Sequence, residues 1–315
     1  MLNAFGLVEG MLRALERPEE TATLRRAMWI DLVDPTDEER AHVEVLYRKD
    51  LPDVEDVEEI EASARYIEDE DGLRVHSLFL QDIEGRPVST TVAFIVNHGR
   101  LITLHEHNLA VFRLLRLRAR RERELAEDEI SLLLGLFETK VENLADRLEK
   151  VHTELEKVST MVLREEDRDL EDSIDELTRQ EDANGKIRLC LMDTQRALTF
   201  LLRRGRLSSE NREWVREILR DVDSLLPHNT FLFEKVNFLM DAAMGFINIQ
   251  QSQIIKIFSI AAVVFLPPTM VASIYGMNFR LMPELDWTFG YPFALLLMLM
   301  SGLTPYLYFK RKGWL

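Results

Sequence analysis

A single cysteine, Cys190, excludes any intrachain disulfide, and its setting in the helical-looking "KIRLCLMDTQRALTFLL" marks it as a small core residue of a protein in a reducing compartment. Positive charge is also scarce: 39 Lys and Arg face 55 Asp and Glu, for a formal charge of −16. That balance excludes a nucleic-acid partner, which needs a basic surface to displace counterions from phosphate, and it favours small cations instead. The sequence has no Gly-rich phosphate loop, no strong zinc-type spacing and no nucleophile with an adjacent base, so neither enzymatic chemistry nor an organic cofactor is expected. His105-Glu106-His107 puts two imidazoles at a strand end, a pair read as polar rather than metal-binding. The start, "MLNAFGLVEG", lacks a basic n-region and carries Glu9 where a leader would be apolar, so no cleaved export signal is expected. Internal repeats and low-complexity linkers are absent, and charged and apolar residues occur in globular proportions.

Two stretches lack charge altogether. "IFSIAAVVFLPPTMVASIY" from Ile257 to Tyr275 and "YPFALLLMLMSGLTPYLYF" from Tyr291 to Phe309 are each long enough to cross a hydrocarbon core of about 30 Å. A buried soluble hairpin is the alternative, and the flanks decide for a membrane. Lys256 precedes the first run, Lys310, Arg311 and Lys312 follow the second, and Trp287, Tyr291, Tyr308 and Trp314 sit at the expected interfaces. The positive-inside rule puts both termini in the cytoplasm and the intervening loop outside. Pro267, Pro268 and Pro305 fall inside the spans, where neighbouring helices can satisfy the freed carbonyls.

The first hundred residues read as mixed α/β: "AMWIDLV", "LRVHSLFLQDI", "STTVAFIVNHG" and "RLITLHEH" are β-rich runs edged by Gly and Asn. Asp34-Pro35-Thr36, followed by Glu38 and Glu39, is a helix start. From about Leu109 the apolar spacing is helical, with breaks expected at Asn184-Gly185 and at "LPHN", Leu226 to Asn229. After Asn229 nothing interrupts the pattern until Gly276, which predicts a helix of 275 − 229 + 1 = 47 residues, about 70 Å at about 1.5 Å per residue.

Stepping back from Gly276 by threes and fours gives Ser273, Thr269, Leu266, Ala262, Ser259, Ile255, Ser252, Asn248, Gly245 and Asp241. This face is small or polar nearly throughout, even across the apolar span. Two readings are open: a close helix contact lined by small residues, or the wall of an aqueous pore. Asp241 at one end and Asn278 past the other favour the pore, and one chain with two spans can enclose a pore only as part of a ring. A second row, Leu232, Val236, Leu239, Ala243 and Phe246, has coiled-coil spacing suited to holding neighbouring copies together.

"YGMNFRLMPEL", residues Tyr275 to Leu285, is similar to the signature of the CorA magnesium transporter family. "VFLPPTMVASIYGMN" and the terminal "YFKRKGWL" resemble its first span and tail, and the likeness extends through "WIDLVDPTDEER", "RLCLMDTQRAL" and "KVNFLMDAAMGFIN". The resemblance implies an α+β cytoplasmic domain, an αβα sandwich on a mixed sheet, followed by long helices and a two-helix transmembrane region in a funnel-shaped homopentamer. The implied divisions are 1–226 (cytoplasmic domain), 227–253 (stalk), 254–275 (pore-lining span), 276–290 (external loop), 291–309 (second span) and 310–315 (basic tail). Gly276, Met277 and Asn278 would form the selectivity ring, with Gly276 also read as a left-handed helix cap and Met277 as packing. Mg²⁺ sheds its waters reluctantly, so a ring of neutral amide oxygens can select the hydrated ion and still release it. Thr269 matches the pore hydroxyl, Asp241 an acid near the cytoplasmic end, and Ile255 and Leu266 hydrophobic constrictions. Glu284 and Asp286 would concentrate cations at the outer mouth.

Five copies carry 5 × −16 = −80, and Mg²⁺ bound between subunits would relieve the repulsion and, as in the family, favour the closed state. The resemblance assigns that role to Glu55 and Asp56 in "VEDVEEIE" with Asp221 or Asp223 in "LRDVDSLL" on the neighbouring copy. The expectation is a Mg²⁺ influx channel of the bacterial inner membrane, driven by the membrane potential, that also passes Co²⁺ and Ni²⁺. The alternatives are a zinc or other divalent-metal transporter of the same fold, and a membrane-anchored sensor or scaffold without transport.

Overall fold

The computed structural model describes residues 1–47, 51–52, 65–69, 72–163, 170–278, 282–283 and 287–314. It divides into two compact units, Met1–Met240 and Asp241–Leu315.

The first unit is built on a seven-stranded sheet in the order β2-β1-β3-β7-β6-β5-β4. The strands are β1 (Leu2–Val8), β2 (Met11–Ala14), β3 (Trp29–Val33), β4 (Tyr66–Asp69), β5 (Gly72–Ile83), β6 (Arg86–Asn97) and β7 (Arg100–His105). Among the described residues only β3 and β7 pair in parallel, so the sheet is mixed, as the resemblance implies. Three connections are two-residue hairpin loops, Glu9-Gly10, Glu84-Gly85 and His98-Gly99, and all six residues have positive φ. That geometry matches the right-handed twist of the flanking strands, and glycine at each second position adopts it without steric cost. The β1–β2 hairpin was not anticipated from sequence; the Glu-Gly pair between apolar residues was the available signal.

Strand alternation divides the core into two layers. Ile30, Leu32, Ile102 and Leu104 point to one face, which α1 (Thr21–Arg26) and α2 (Asp37–Tyr47) cover through Leu24 and Val43. Trp29, Phe79 and Phe94 point to the other, against Phe112 of α3 (Ala110–Arg118) and Phe137 of α4 (Glu129–Leu163). Helices therefore lie on both faces, the expected αβα arrangement. Thr36 opens α2 as read from sequence: its hydroxyl accepts the Glu39 N–H at 3.3 Å while Glu39 Oε2 accepts the Thr36 N–H at 3.0 Å, a reciprocal capping box.

Several buried polar groups on the second face are paired, although the Gln81 Nε2 is buried without a partner among the described residues. Asp31 accepts hydrogen bonds from Arg116 at 2.9 Å and Thr103 at 2.7 Å and meets His105 Nε2 at 2.9 Å. His105 Nδ1 donates to the carbonyl of His107 at 2.6 Å, so its ring is fully engaged and does not act with His107 as a ligand pair. Lys140, wholly enclosed, donates to Ser77 at 2.8 Å and lies 4.6 Å from the Phe79 ring centroid. Ser77 donates to Asp193 at 2.5 Å. Burial pulls Lys140 below the usual lysine range, with nearby Asp193 opposing the shift. Cys190 is buried as expected, and burial pushes its thiol up to about 11, which keeps it unreactive.

Both breaks expected among the helices are absent. Asn184-Gly185 lies inside α5 (Leu170–Arg204), and Pro227 to Asn229 lie inside α6, which runs without interruption from Ser209 to Tyr275. Asn184 and Asn229 are instead a buried pair between the two helices. Asn184 Nδ2 donates to the Asn229 carbonyl at 3.0 Å, and Asn229 Nδ2 donates to the Asn184 carbonyl at 2.8 Å and its Oδ1 at 2.7 Å. Pro227 occupies an exposed position, where the Asp223 carbonyl that lacks its usual partner can bond to water.

The second unit contains the last part of α6 and α7 (Gly290–Arg311), and each helix has a segment long and apolar enough to cross a membrane. These segments are almost entirely uncovered in the single chain, which is stable for apolar surface only in lipid or against other copies.

Candidate ion-conducting site

Coverage divides the α6 span into two faces. Ile260 is buried, and Ala261, Val264, Pro267, Pro268, Val271 and Tyr275 are partly covered. Four of the covered α7 positions are small: Gly290 and Ala294 are buried, and Ser301 and Gly302 are half-covered, as are Met298, Pro305 and Phe309. A Cβ added at Gly302 would lie 3.1 Å from Pro268 Cγ and 3.4 Å from the Val264 carbonyl oxygen, so glycine is what allows the helices to approach there.

The small and polar row lies elsewhere. At about 100° per residue, Ser259, Ala262, Leu266, Thr269 and Ser273 project about 170° round the helix from the face that meets α7. All ten positions, Asp241, Gly245, Asn248, Ser252, Ile255, Ser259, Ala262, Leu266, Thr269 and Ser273, are exposed, as are Gly276, Met277 and Asn278 beyond them. Ile255 at 59% and Leu266 at 65% exposure are apolar side chains without a covering partner in the chain. The row is therefore not a contact with the chain's own second span.

Local chemistry suits passage of a cation. Pro267 and Pro268 remove two N–H donors from the first span, and the Thr269 hydroxyl donates to the Phe265 carbonyl at 2.5 Å. With its proton directed inward, the Thr269 oxygen has lone pairs free to accept from the waters of a hydrated ion. At the helix end, Gly276 N–H donates to the Ala272 carbonyl at 2.9 Å and Met277 N–H to that of Ile274 at 3.3 Å. Gly276 is not among the positive-φ residues, which corrects its reading as a left-handed cap. Asn278 follows outside the helix, and Trp287 and Phe293 are in ring contact at 5.7 Å near the start of α7. At the far end of α7 Phe309 stacks on Trp314 at 5.5 Å, so aromatic residues mark both ends of the span.

The other candidates fall in different places. Leu232, Val236, Leu239 and Ala243 are buried within the single chain, which corrects the reading of that row as a surface for neighbouring copies. Asp221 and Asp223 are both exposed but face different surroundings. Asp223 accepts from Gln195 at 2.7 Å beside a group of arginines, whereas Asp221 adds its charge to the environment of Glu138. Glu55, Asp56, Glu284 and Asp286 lie outside the described residues. Among the described residues no group of three or more His, Cys, Asp or Glu is arranged to hold a metal within one chain.

The magnesium transport protein CorA of Salmonella typhimurium is 54% identical to this chain over 317 residues, covering all of both, and its namesake from Escherichia coli K12 is 53% identical over the same span. The complete structure of the CorA magnesium transporter from Methanocaldococcus jannaschii has the same fold, with a TM-score of 0.79 at 21% identity over 100% of this chain and 99% of that one. The family described as CorA-like Mg²⁺ transporter protein matches residues 25–311, and this chain, with its mixed-sheet domain, long helices and paired C-terminal spans, belongs to that family.

Proposed function

We propose that the chain is a magnesium transporter of the bacterial inner membrane, in which five copies enclose an influx pore and both termini are cytoplasmic. The carrying observation is the uncovered polar row on α6, opposite the face occupied by α7. Lipid does not stabilise Ser259, Thr269 and Ser273 on one exposed stripe, whereas a water-filled axis does. In this reading the α6 helices line the axis, Asn278 forms an amide ring at the outer mouth, and Gly276 and Met277 set its position. Hydrated Mg²⁺ accepts no stripping; it is held by hydrogen bonds from its waters to Asn278 and Thr269 oxygens, and Co²⁺ and Ni²⁺ pass with similar hydration shells. Leu266 and Ile255 narrow the path and close it by dewetting. Asn248, Ser252 and Asp241 line the cytoplasmic approach, and Glu284 and Asp286 concentrate cations outside. A potential of about 100 mV supplies about 2.3 kcal/mol per charge, so a divalent ion gains about 4.6 kcal/mol on entry.

Closure follows from cytosolic Mg²⁺ bound between copies, by Glu55 and Asp56 of one and Asp221 of the next. Carboxylate oxygens suit Mg²⁺. Asp221 is preferred to Asp223 because Asp223 is already bonded by Gln195 on the arginine side.

The test is uptake into liposomes loaded with a Mg²⁺ indicator under an inside-negative potential. Wild type should take up Mg²⁺ and Asn278→Ala, with unchanged assembly, should not. Equal uptake by both removes Asn278 from the filter. Uptake of Zn²⁺ but not Mg²⁺ by wild type replaces the proposed cargo.

A further inference from the structure

Two shallow clefts flank α6 inside the first unit, and they carry opposite charge. One, of about 570 Å³, is lined by Glu122, Glu127, Glu138, Glu210 and Glu217 around Trp214. Its lining contains no basic residue, although Arg220 comes within 3.7 Å of Glu217. Burial holds the Glu138 carboxyl above the usual range, and the Glu142 and Asp221 charges push it further, against the hydrogen bond from Trp214 at 3.1 Å. The other cleft, of about 730 Å³, has Arg196, Arg203 and Arg204 around the stacked rings of Tyr66 and Phe200, whose centroids are 5.4 Å apart. None of these three arginines lies within salt-bridge distance of a described carboxylate, and all three are exposed.

The helix itself fixes the angular relation of the two clefts. At about 100° per residue, Glu210, Trp214 and Glu217 project within a sector of about 60°, and Leu219 and Asp223, which line the arginine cleft, project about 170° away. The bonds agree with this: Trp214 reaches Glu138 of α4 on one flank, and Asp223 accepts from Gln195 of α5 on the other. A closed ring of identical copies requires two different, mutually complementary surfaces on opposite sides of each subunit. From this charge complementarity we infer that the arginine flank of one copy seats the glutamate flank of the next, so that a repeated Arg–Glu contact beside the first turns of α6 closes the ring. The inference rests on the ring assembly proposed above and adds the surfaces that make it. Guanidinium groups pair with carboxylates through two parallel hydrogen bonds, which fixes register as well as attraction.

The test uses the full chain in detergent at low salt, with mass followed by light scattering through a dilution series. Arg203→Glu with Arg204→Glu, and separately Glu127→Arg with Glu210→Arg, should each raise the concentration for half-assembly by at least about tenfold, because like charges then face each other. All four side chains are exposed, so helix content should be unchanged, which circular dichroism checks. Combining the four substitutions in one chain exchanges two charges of each flank and should restore assembly to within about threefold of wild type. A wild-type ring that either pair of reversals leaves intact, or a combined variant as weak as the two effects added, overturns the contact while leaving the ring in place. A wild type that is monomeric at every concentration overturns the ring reading itself.

Discussion

Replacing Asn229 by leucine tests how α6 is tied to α5. The two asparagines are 1% and 0% exposed, so neither can turn to water when its partner is lost. Asn229→Leu removes the donations to the Asn184 carbonyl at 2.8 Å and to its Oδ1 at 2.7 Å, removes the acceptor of the 3.3 Å bond from Arg188, and leaves the Asn184 Oδ1 buried without its donor. The two hydrogen bonds to Asn184 at about 1 kcal/mol each, plus about 1 kcal/mol or more for the stranded oxygen, give a loss of about 3 kcal/mol, while Arg188 keeps its bond to Thr230 at 2.9 Å. Leucine has nearly the shape of asparagine, so little of the loss comes from a cavity. Substituting both positions by leucine replaces a polar pair with an apolar one and should recover part of it, a coupling of about 1–3 kcal/mol. Amide hydrogen exchange of the full chain in detergent measures this directly. Protection in segments 184–188 and 226–232 should fall by roughly 100-fold in the single variant, as about 1.4 kcal/mol corresponds to tenfold, and recover in the double. A change below about threefold, or a double variant as weak as the sum of both singles, would refute the account of the pair as a clamp.

Two further predictions concern packing and titration. Gly302→Leu places side-chain atoms where a Cβ already comes within 3.1 Å of Pro268, and should cost about 1–3 kcal/mol by overpacking, with Gly302→Ala milder; thermal melting in detergent measures it, and an unshifted Leu variant contradicts the close approach. His76 is buried, and burial depresses its pKa from 6.5 to about 4. The unfolded chain therefore takes up the proton first as pH falls, so stability is unaffected above about 6.5, is lost between about 6.5 and about 4, and the loss totals about 3 kcal/mol. His76→Leu should remove that acid-dependent part, seen as a shallower fall in denaturation midpoint from about pH 7 to about pH 4; an identical slope would mean that His76 charges freely in the folded chain.

The sequence alone determined those features set by local pattern. β3, β5, β6 and β7 were legible because strands buried on a sheet are rich in Val, Ile and aromatic residues. The start of α2 was legible because a Thr-x-x-Glu box satisfies helix N–H groups within a few residues. The two spans were legible because lipid tolerates no run of charges. The row from Asp241 to Ser273 was legible because helical periodicity places it on one face whatever surrounds it.

The tertiary structure decided which neighbour each pattern meets. Asn184 and Asn229 have the composition of turn residues, yet each side-chain amide donates to the other residue across two helices, with Arg188 donating to the Asn229 Oδ1, which no local propensity describes. Leu232, Val236 and Leu239 have the spacing of an interface between copies, but the chain's own packing buries them first. Gly276 has the composition of a left-handed cap, but its φ is not positive, because the turn it closes keeps the helical bond to the Ala272 carbonyl. The polar row could have faced the second span or left it aside, and Gly302 against Pro268 settles that choice, because two helices approach where the smallest side chains let them. The separation of charge into a glutamate flank and an arginine flank of α6 is likewise a product of packing: its members come from segments far apart in sequence, and only the placement of α4 and α5 on opposite sides of one helix brings them together.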